Sequence, residues 1–430
     1  MGTSSSEAAA QTVEAAPKLK IGFVHAGRPP HGVIRYGQIL AAEAGRRSDI
    51  ELMQVDVAVP ERGTDVRGMI AAARRLRGCD VVHLQFNVQR TGCVWGRGWR
   101  QLLHLAAFLL ACRPPVVCTI HDLYPIAAGA DIFRLVGLLA HAVFVRGASA
   151  LGLRTAAPSR RVLALIADIR HATGIPGLPL RLLVRRASRV FVCSETERER
   201  LIRLVDAKRV RVIAHFVEER APLPSRDDAR KELGLEQARV VTLLGYVHPR
   251  KGHLLAIEAL GRLPSEFVLI FAGGPPPRGE AFVDRLMTSA RNLNVEHRVR
   301  VTGYLTETQL NVYLAATDVP ICPFRAVAAS GTMSTWISAA RPFLSADLPL
   351  VHEYNRIAGD VIAIYSPDTP DALADGIRRF SETSGRNDPR MTALRRALEV
   401  SAVFEAHTRE YLDSLGTERL VGHAIAVDHS

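Results

Sequence analysis

The sequence predicts an α/β protein made of two doubly wound parallel-sheet domains facing each other across a cleft. Three observations carry that expectation. Short apolar runs alternate with helical patterns along most of the chain, the βαβα signature of a parallel sheet. A polar stretch from Glu218 to Asp228, containing Pro222 and Pro224, divides the alternation in two. The 430 residues are too many for one compact core and suit two domains of roughly 200 residues.

Composition narrows the function classes. A hydrophobic content of 48% with 23% charged residues is that of a globular chain. The formal charge of +12 points to anionic partners: nucleic acid, anionic lipid or phosphorylated substrates. Basic–aromatic interleaving and zinc-type spacing are both missing, so no nucleic-acid partner is expected. The six cysteines form no CxxC and several sit inside apolar runs, as reduced thiols of a cytoplasmic protein do. Residues 1–17 are rich in Ser, Ala, Glu and Thr without an apolar period and read as a mobile tail. They lack the charged start and apolar core of a secretory signal.

In the first half, strands are expected at Leu19–His25, Ile50–Val55, Asp80–Leu84, Pro115–Ile120, Arg189–Ser194 and Val210–His215. After the first strand come Gly27, Pro29, Pro30 and Gly32, then a helix through Ile39 and Ala42. Ligands of such sheets bind beyond the carboxyl ends of the strands. His121 and Asp122, at a strand exit, are therefore site candidates, with Gly32 in the first loop. His83 lies inside a strand, where packing is the ordinary role.

Between Pro125 and Arg189 the pattern changes: ten arginines, no lysine or glutamate, and only Asp131 and Asp168 as acids. The apolar run Leu135–Val145 and the earlier run Leu102–Cys112 are both too short to span a bilayer, which takes about 20 residues. Apolar helices beside arginines fit either a buried helix with solvated charges or a helix lying on an anionic membrane surface. The inner face of the membrane is thus a candidate partner.

The second half repeats the alternation, with strands expected at Val240–Leu244, Phe267–Ala272, Val299–Thr302, Asp318–Cys322, Phe343–Ser345 and Val361–Tyr365. Its first βα unit, VVTLLGYVHPRKGHLLAIEALGRL, turns sharply from strand to helix at Gly245, Tyr246, Pro249 and Gly252. Such a turn gathers backbone N–H groups and a positive helix end at one point, which suits a phosphate. Arg250 and Lys251 stand in it. Lysine is scarce in this chain, five among 55 basic residues, so Lys251 is conspicuous. Gly273 and Gly274 end the next strand and Gly303-Tyr304 the one after. Ser330-Gly331-Thr332 opens a helix and makes a second anion seat, Ser-Gly-Thr being also an ordinary N-cap. No His/Cys/Asp cluster has ligand spacing, so no metal is expected.

Taken in order, the first loop, TIHDLYP, FVCSETER, GYVHPRKG, FVLIFAGG, VTGYLTETQL, ATDVPICPF and SAARPFLSADLP resemble family 4-type, GT-B-fold glycosyltransferases over residues 19 to about 415. The resemblance implies two Rossmann-like domains. Residues 18–218 would form the acceptor-side domain, including the Arg-rich segment 125–189, and residues 219–395 the nucleotide-sugar-binding domain. Residues 396–430 would be a crossover helix and tail, after the mobile 1–17. It further implies sugar transfer, with retention, from a nucleoside-diphosphate sugar, UDP- or GDP-linked, to an acceptor hydroxyl in a bacterial glycan, glycolipid or natural-product pathway. Lys251 matches the family's diphosphate lysine and His121 its HD histidine; these two are the catalytic candidates. The donor set is Gly245, Tyr246, Arg250, Lys251, Gly273, Gly274, Tyr304, Ser330, Gly331, Thr332 and Thr335, and the acceptor side is Gly32, His121 and Asp122. Two departures stand out. Tyr246 replaces an arginine, and Val327 and Thr335 occupy the places of a glutamate pair. A non-catalytic GT-B protein that binds a nucleotide sugar or supports a partner enzyme, and a sugar-nucleotide epimerase, are the alternatives.

Overall fold

The computed structural model describes residues 18–27, 32–60, 63–87, 94–96, 99–121, 177–203, 205–276, 279–325, 330–383 and 388–416. Tail residues 1–17, Asp122, Val327 and residues 125–176 of the Arg-rich segment lie outside them. Among the described residues there are twelve strands and fourteen helices.

The first sheet comprises β1 (Leu19–Gly27), β2 (Ile50–Ala58), β3 (Val81–Asn87), β4 (Val116–His121), β5 (Arg189–Val192) and β6 (Val210–Val212). Its order is β2-β1-β3-β4-β5-β6, with every pairing parallel. The helices between are α1 (Gly32–Arg46), α2 (Val66–Arg75), α3 (Trp99–Ala111), α4 (Gly177–Arg186) and α5 (Glu195–Leu201). β3 runs past Leu84, where the apolar run ends, because Gln85 and Asn87 stay in register with Thr119 and His121 of β4.

The second sheet comprises β7 (Arg239–Leu244), β8 (Phe267–Ala272), β9 (Val299–Val301), β10 (Val319–Cys322), β11 (Leu344–Ala346) and β12 (Ala363–Tyr365), in the parallel order β12-β11-β10-β7-β8-β9. Around it lie α6 (Arg226–Leu233), α7 (His253–Leu260), α8 (Glu280–Asn292), α9 (Glu307–Ala316), α10 (Gly331–Ser338), α11 (Pro349–Ala358), α12 (Pro370–Thr383) and α13 (Pro389–Ala397). Local chemistry starts these helices where the chain supplies caps. Ser225 accepts from Asp228 N–H at α6, which Gly234 ends in the left-handed region, and Thr306 with Gln309 forms a capping box at α9.

Each sheet reverses strand order once, at β1/β3 and at β7/β10. Those switch points are where loops diverge and leave a crevice. The last helix, α14 (Val400–Leu415), returns to the first domain. Its Phe404 and Tyr411 share a core with Phe23, Tyr36, Phe191 and Phe216. Burying a large aromatic stabilises by about 1.5–3 kcal/mol, so this packing outweighs the flanking ion pairs of Arg47, Arg189 and Arg211 with Glu405, Asp413 and Glu410. A second interdomain contact joins α5 to α11: Glu353 accepts the Glu195 N–H at 3.1 Å. No helix among the described residues is long and apolar enough to cross a membrane.

Candidate functional site

The β7/β10 switch point collects most of the predicted donor residues. Gly245 follows β7 with φ +100°, and a Cβ there would lie 2.4 Å from Lys251 Nζ. A side chain is thus excluded both by the backbone and by the lysine it would strike. Lys251 ends a short 3₁₀ turn, Pro249–Lys251, begun by His248, whose ring accepts from Arg250 N–H at 3.3 Å. Gly252 then takes φ +77°; a Cβ would meet Pro323 O at 2.1 Å, so only glycine lets the β7 and β10 loops close on each other.

This closure leaves Lys251 half-buried. Its Nζ donates to Thr332 Oγ1 at 2.8 Å and to Leu244 O at 3.2 Å, and sits 5.3 Å from the centre of the Phe324 ring. Thr332 Oγ1 in turn donates to Leu244 O at 3.0 Å. Burial lowers the lysine's pKa below its ordinary value. None of its contacts among the described residues is a carboxylate. A partly desolvated ammonium with two of three donors used and no carboxylate partner among the described residues can pair with an anion.

The rest of the donor set surrounds it. Ser330 caps α10, accepting from Met333 N–H at 3.2 Å, so the N–H groups of the first turn open beside Lys251. Thr335 turns back on its own helix and donates to Gly331 O at 2.8 Å, which spends the hydroxyl locally. Arg250 is exposed on the same turn. Burial first, then the charges of Arg250 and Lys251, lower the His248 pKa. Gly273 N–H donates to Thr302 Oγ1 at 3.0 Å, and Gly274 lies under the Tyr304 ring. Tyr246 and Tyr304 are both exposed and meet edge to face, 5.9 Å between centroids, with Tyr304 Oη donating to Pro275 O.

Across the molecule, His121 ends β4, buried, with Nε2 2.8 Å from Gln85 Oε1 and the Tyr36 ring edge-on at 4.7 Å. Gly32 is the exposed first residue of α1, where a Cβ would meet nothing within 4 Å. Sequence reasoning passed over Gln85, Asn87, His25 and Tyr36. All are buried, and His25 Nδ1, Tyr36 Oη and both polar atoms of the Asn87 amide have no hydrogen-bond partner among the described residues. The signal was present in β3, where His83, Gln85 and Asn87 alternate with Leu84 and Phe86 in a wholly buried strand.

Two doubly wound parallel sheets with their switch-point loops, rejoined by a returning C-terminal helix, constitute the GT-B fold. Residues 238–383 match the family model described as glycosyl transferases group 1, a range that holds every predicted donor residue. The D-inositol 3-phosphate glycosyltransferase of Mycolicibacterium smegmatis is 34% identical over 170 residues, 37% of this chain and 39% of the relative. That of Mycobacterium ulcerans is 30% identical over 171 residues, 37% of each chain. The chain therefore spans about two-fifths of the length of the curated relatives it matches. Among solved structures, Anabaena HepE in complex with UDP superposes with a TM-score of 0.63 at 15% identity, covering 92% of this chain and 100% of that one. Sucrose-phosphate synthase from Thermosynechococcus elongatus gives 0.62 at 14% identity, covering 92% and 99%. At such identities the likeness is one of fold.

Proposed function

We propose that this protein is a glycosyltransferase that moves a sugar, with retention and without a metal ion, from a nucleoside-diphosphate sugar to an acceptor hydroxyl. The observation that carries the proposal is Lys251: half-buried, hydrogen-bonded on two sides, and without a carboxylate partner among the described residues, at the switch point within the range that matches group 1. The barrier to glycosyl transfer lies in expelling the diphosphate as positive charge grows on the sugar carbon. A preorganised cation beside the leaving oxygen gains strength as negative charge collects there. Lys251 and the first-turn N–H groups of α10 supply that charge, with Arg250 at the rim. UDP is the favoured nucleotide, since HepE is described in complexes with UDP and with UDP-glucose. His121 contacts the donor sugar or the acceptor from the other domain. The site lies in the cytoplasm, on a protein whose segment Pro125–Arg189 meets an anionic membrane; the exposed Leu103 and Leu110 of α3, and Arg185 and Arg186 of α4, support such a contact.

Turnover of UDP-glucose by parent and Lys251→Ala protein, with and without EDTA, tests this. The variant should lose about 10²–10³ in kcat, and the chelator should change nothing. Parent turnover that only Mn²⁺ or Mg²⁺ restores would sink the metal-free mechanism. A second reading, a GT-B protein that binds the donor without turning it over, is favoured by Thr335, whose hydroxyl is bonded within its own helix at the place of a family glutamate. It predicts donor binding lost on Lys251→Ala with no parent turnover.

A further inference from the structure

β3 and β4 lay a row of polar side chains on one face of the first sheet, Gln85 opposite Thr119 and Asn87 opposite His121. Within it the Gln85 carboxamide stands between two imidazoles. Its Oε1 is 2.8 Å from His121 Nε2, and its Nε2 is 3.2 Å from His83 Nε2. His83 continues the row, with Nε2 2.8 Å from Thr119 Oγ1 and Nδ1 2.7 Å from Tyr411 Oη on α14. Every one of these side chains is buried. Helix α1 presses on the row from above: a Cβ on Gly37 would come within 2.8 Å of Gln85 Cγ, so the missing side chain is what admits the amide to its slot.

An amide oxygen can only accept and an amide NH₂ can only donate. With Oε1 toward His121 and Nε2 toward His83, the protons of both rings follow. His121 carries its proton on Nε2 and donates it to Gln85. His83 offers a lone pair at Nε2 to the amide and to Thr119, and donates from Nδ1 to Tyr411. We infer that Gln85 is a positioning residue: it holds His121 as the neutral Nε2–H tautomer, leaving Nδ1 as the ring's acceptor, while its own Nε2 is taken up by His83, whose ring reaches Tyr411 of the C-terminal helix. The inference rests on the proposed role of His121 at the substrate. The tautomer matters there because it decides whether the ring accepts from or donates to a hydroxyl.

The other titratable groups around His121 favour neutrality. Tyr36 faces it from α1 and His83 from β3; His25 of β1 acts on His83, His215 touches Tyr36, and Tyr411 and His407 approach His83 from α14. Burial raises Tyr36 and Tyr411 well above the phenol range and lowers His25, His83 and His407, so these neighbours are neutral at pH 7. Replacing the amide by a carboxylate would put a charge at the hydrogen-bond distance and favour the imidazolium.

The test is imidazole ¹⁵N spectroscopy of uniformly ¹⁵N-histidine-labelled full-length protein between pH 6 and 8, with His121 assigned by its loss in His121→Ala. The parent should show a pyrrole-like Nε2 and a pyridine-like Nδ1. Gln85→Leu should give a tautomer mixture, and Gln85→Glu a doubly protonated ring with the acid limb of kcat/KM moved up by about one pH unit or more. That limb should not move when Gln85→Glu is added to His121→Ala. A pyridine-like Nε2 in the parent, or an unchanged tautomer and pH profile in Gln85→Glu, would overturn the inference. Gln85→Glu keeps the shape of the amide and decides the matter alone if Gln85→Leu does not fold. Full turnover in His121→Ala would remove the substrate role of His121, a result independent of the spectra.

Discussion

The two switch points share a topology and differ in chemistry. At β7/β10 the site is made of turns: Gly245, the 3₁₀ turn ending in Lys251, and the first turn of α10, with a cation at its centre. At β1/β3 the buried polar layer is made of strand side chains, His25, Gln85 and Asn87 with His121 beside them, and burial drives the His25 and His83 rings toward neutrality. The contrast teaches what each seat can hold. An anion needs a charge and backbone donors that stay put while water is excluded, which a glycine-shaped turn provides. A neutral layer offers direction without charge, and suits hydroxyls.

The largest effect should come from breaking the charged seat. Lys251→Ala should cost about 10²–10³ in turnover, and Lys251→Arg should recover only part, because a planar fork does not replace a compact ammonium. Removing a half-buried cation with no carboxylate partner among the described residues should leave the ligand-free protein no less stable, and Lys251→Met should unfold at a higher temperature than the parent in the absence of nucleotide. A Lys251→Met protein that melts several degrees lower would show that the lysine is a structural strut.

On the neutral side, His121→Ala should reduce kcat/KM by about 10–100-fold, the value of one or two hydrogen bonds at about 1.5–3 kcal/mol in total. Undiminished kcat/KM would confine His121 to packing.

Acid should separate the domains. His83, His407 and His25 in the first domain all have pKa values lowered by burial, His407 to about 4, and His253 in the second is lowered to about 3. The unfolded chain binds protons at these rings near pH 6.5, so stability is full above that value and falls as pH drops toward the folded-state values. Three such rings against His253 and the exposed His248 should make the first domain melt earlier, a few degrees per pH unit below 6.5, by domain-resolved hydrogen exchange. Equal loss in both domains would mean that the histidine layer of the first domain is already solvated.

Smaller still, Arg250→Ala should lower kcat/KM by less than about tenfold, since the exposed rim charge is screened. At the smallest end, Leu110→Asp should weaken salt-sensitive sedimentation with phosphatidylglycerol vesicles a few-fold, as Leu110 is 78% exposed on α3. Equal sedimentation with neutral vesicles would remove the electrostatic part of that contact.

Much of the fold was legible in the residues because it is written in local patterns. Every expected strand core reappears, with ends shifted by a few residues where polar side chains stay in the ladder, as Gln85 and Asn87 do in β3. The turn around Lys251 was legible for the same reason: glycine, proline and a strand-to-helix change of period are short-range signals. The neutral layer was not. A histidine or glutamine inside an apolar run looks like any packed polar residue, and its meaning depends on what lies across the sheet.

By itself the sequence determined two βα alternations, the linker between them and a sharp strand-to-helix turn carrying a rare lysine, since propensity, periodicity and turn geometry act over a few residues. Only the tertiary structure decided that this lysine is desolvated and bonded to Thr332, 81 residues away, and that His121 meets Gln85, 36 residues back. It also decided that Tyr411, 328 residues from His83, closes the same polar row. Burial and hydrogen-bond partners belong to segments that meet only when both sheets are formed. Charge state and tautomer, which set the chemistry, are therefore properties of the assembled packing and not of any stretch of chain.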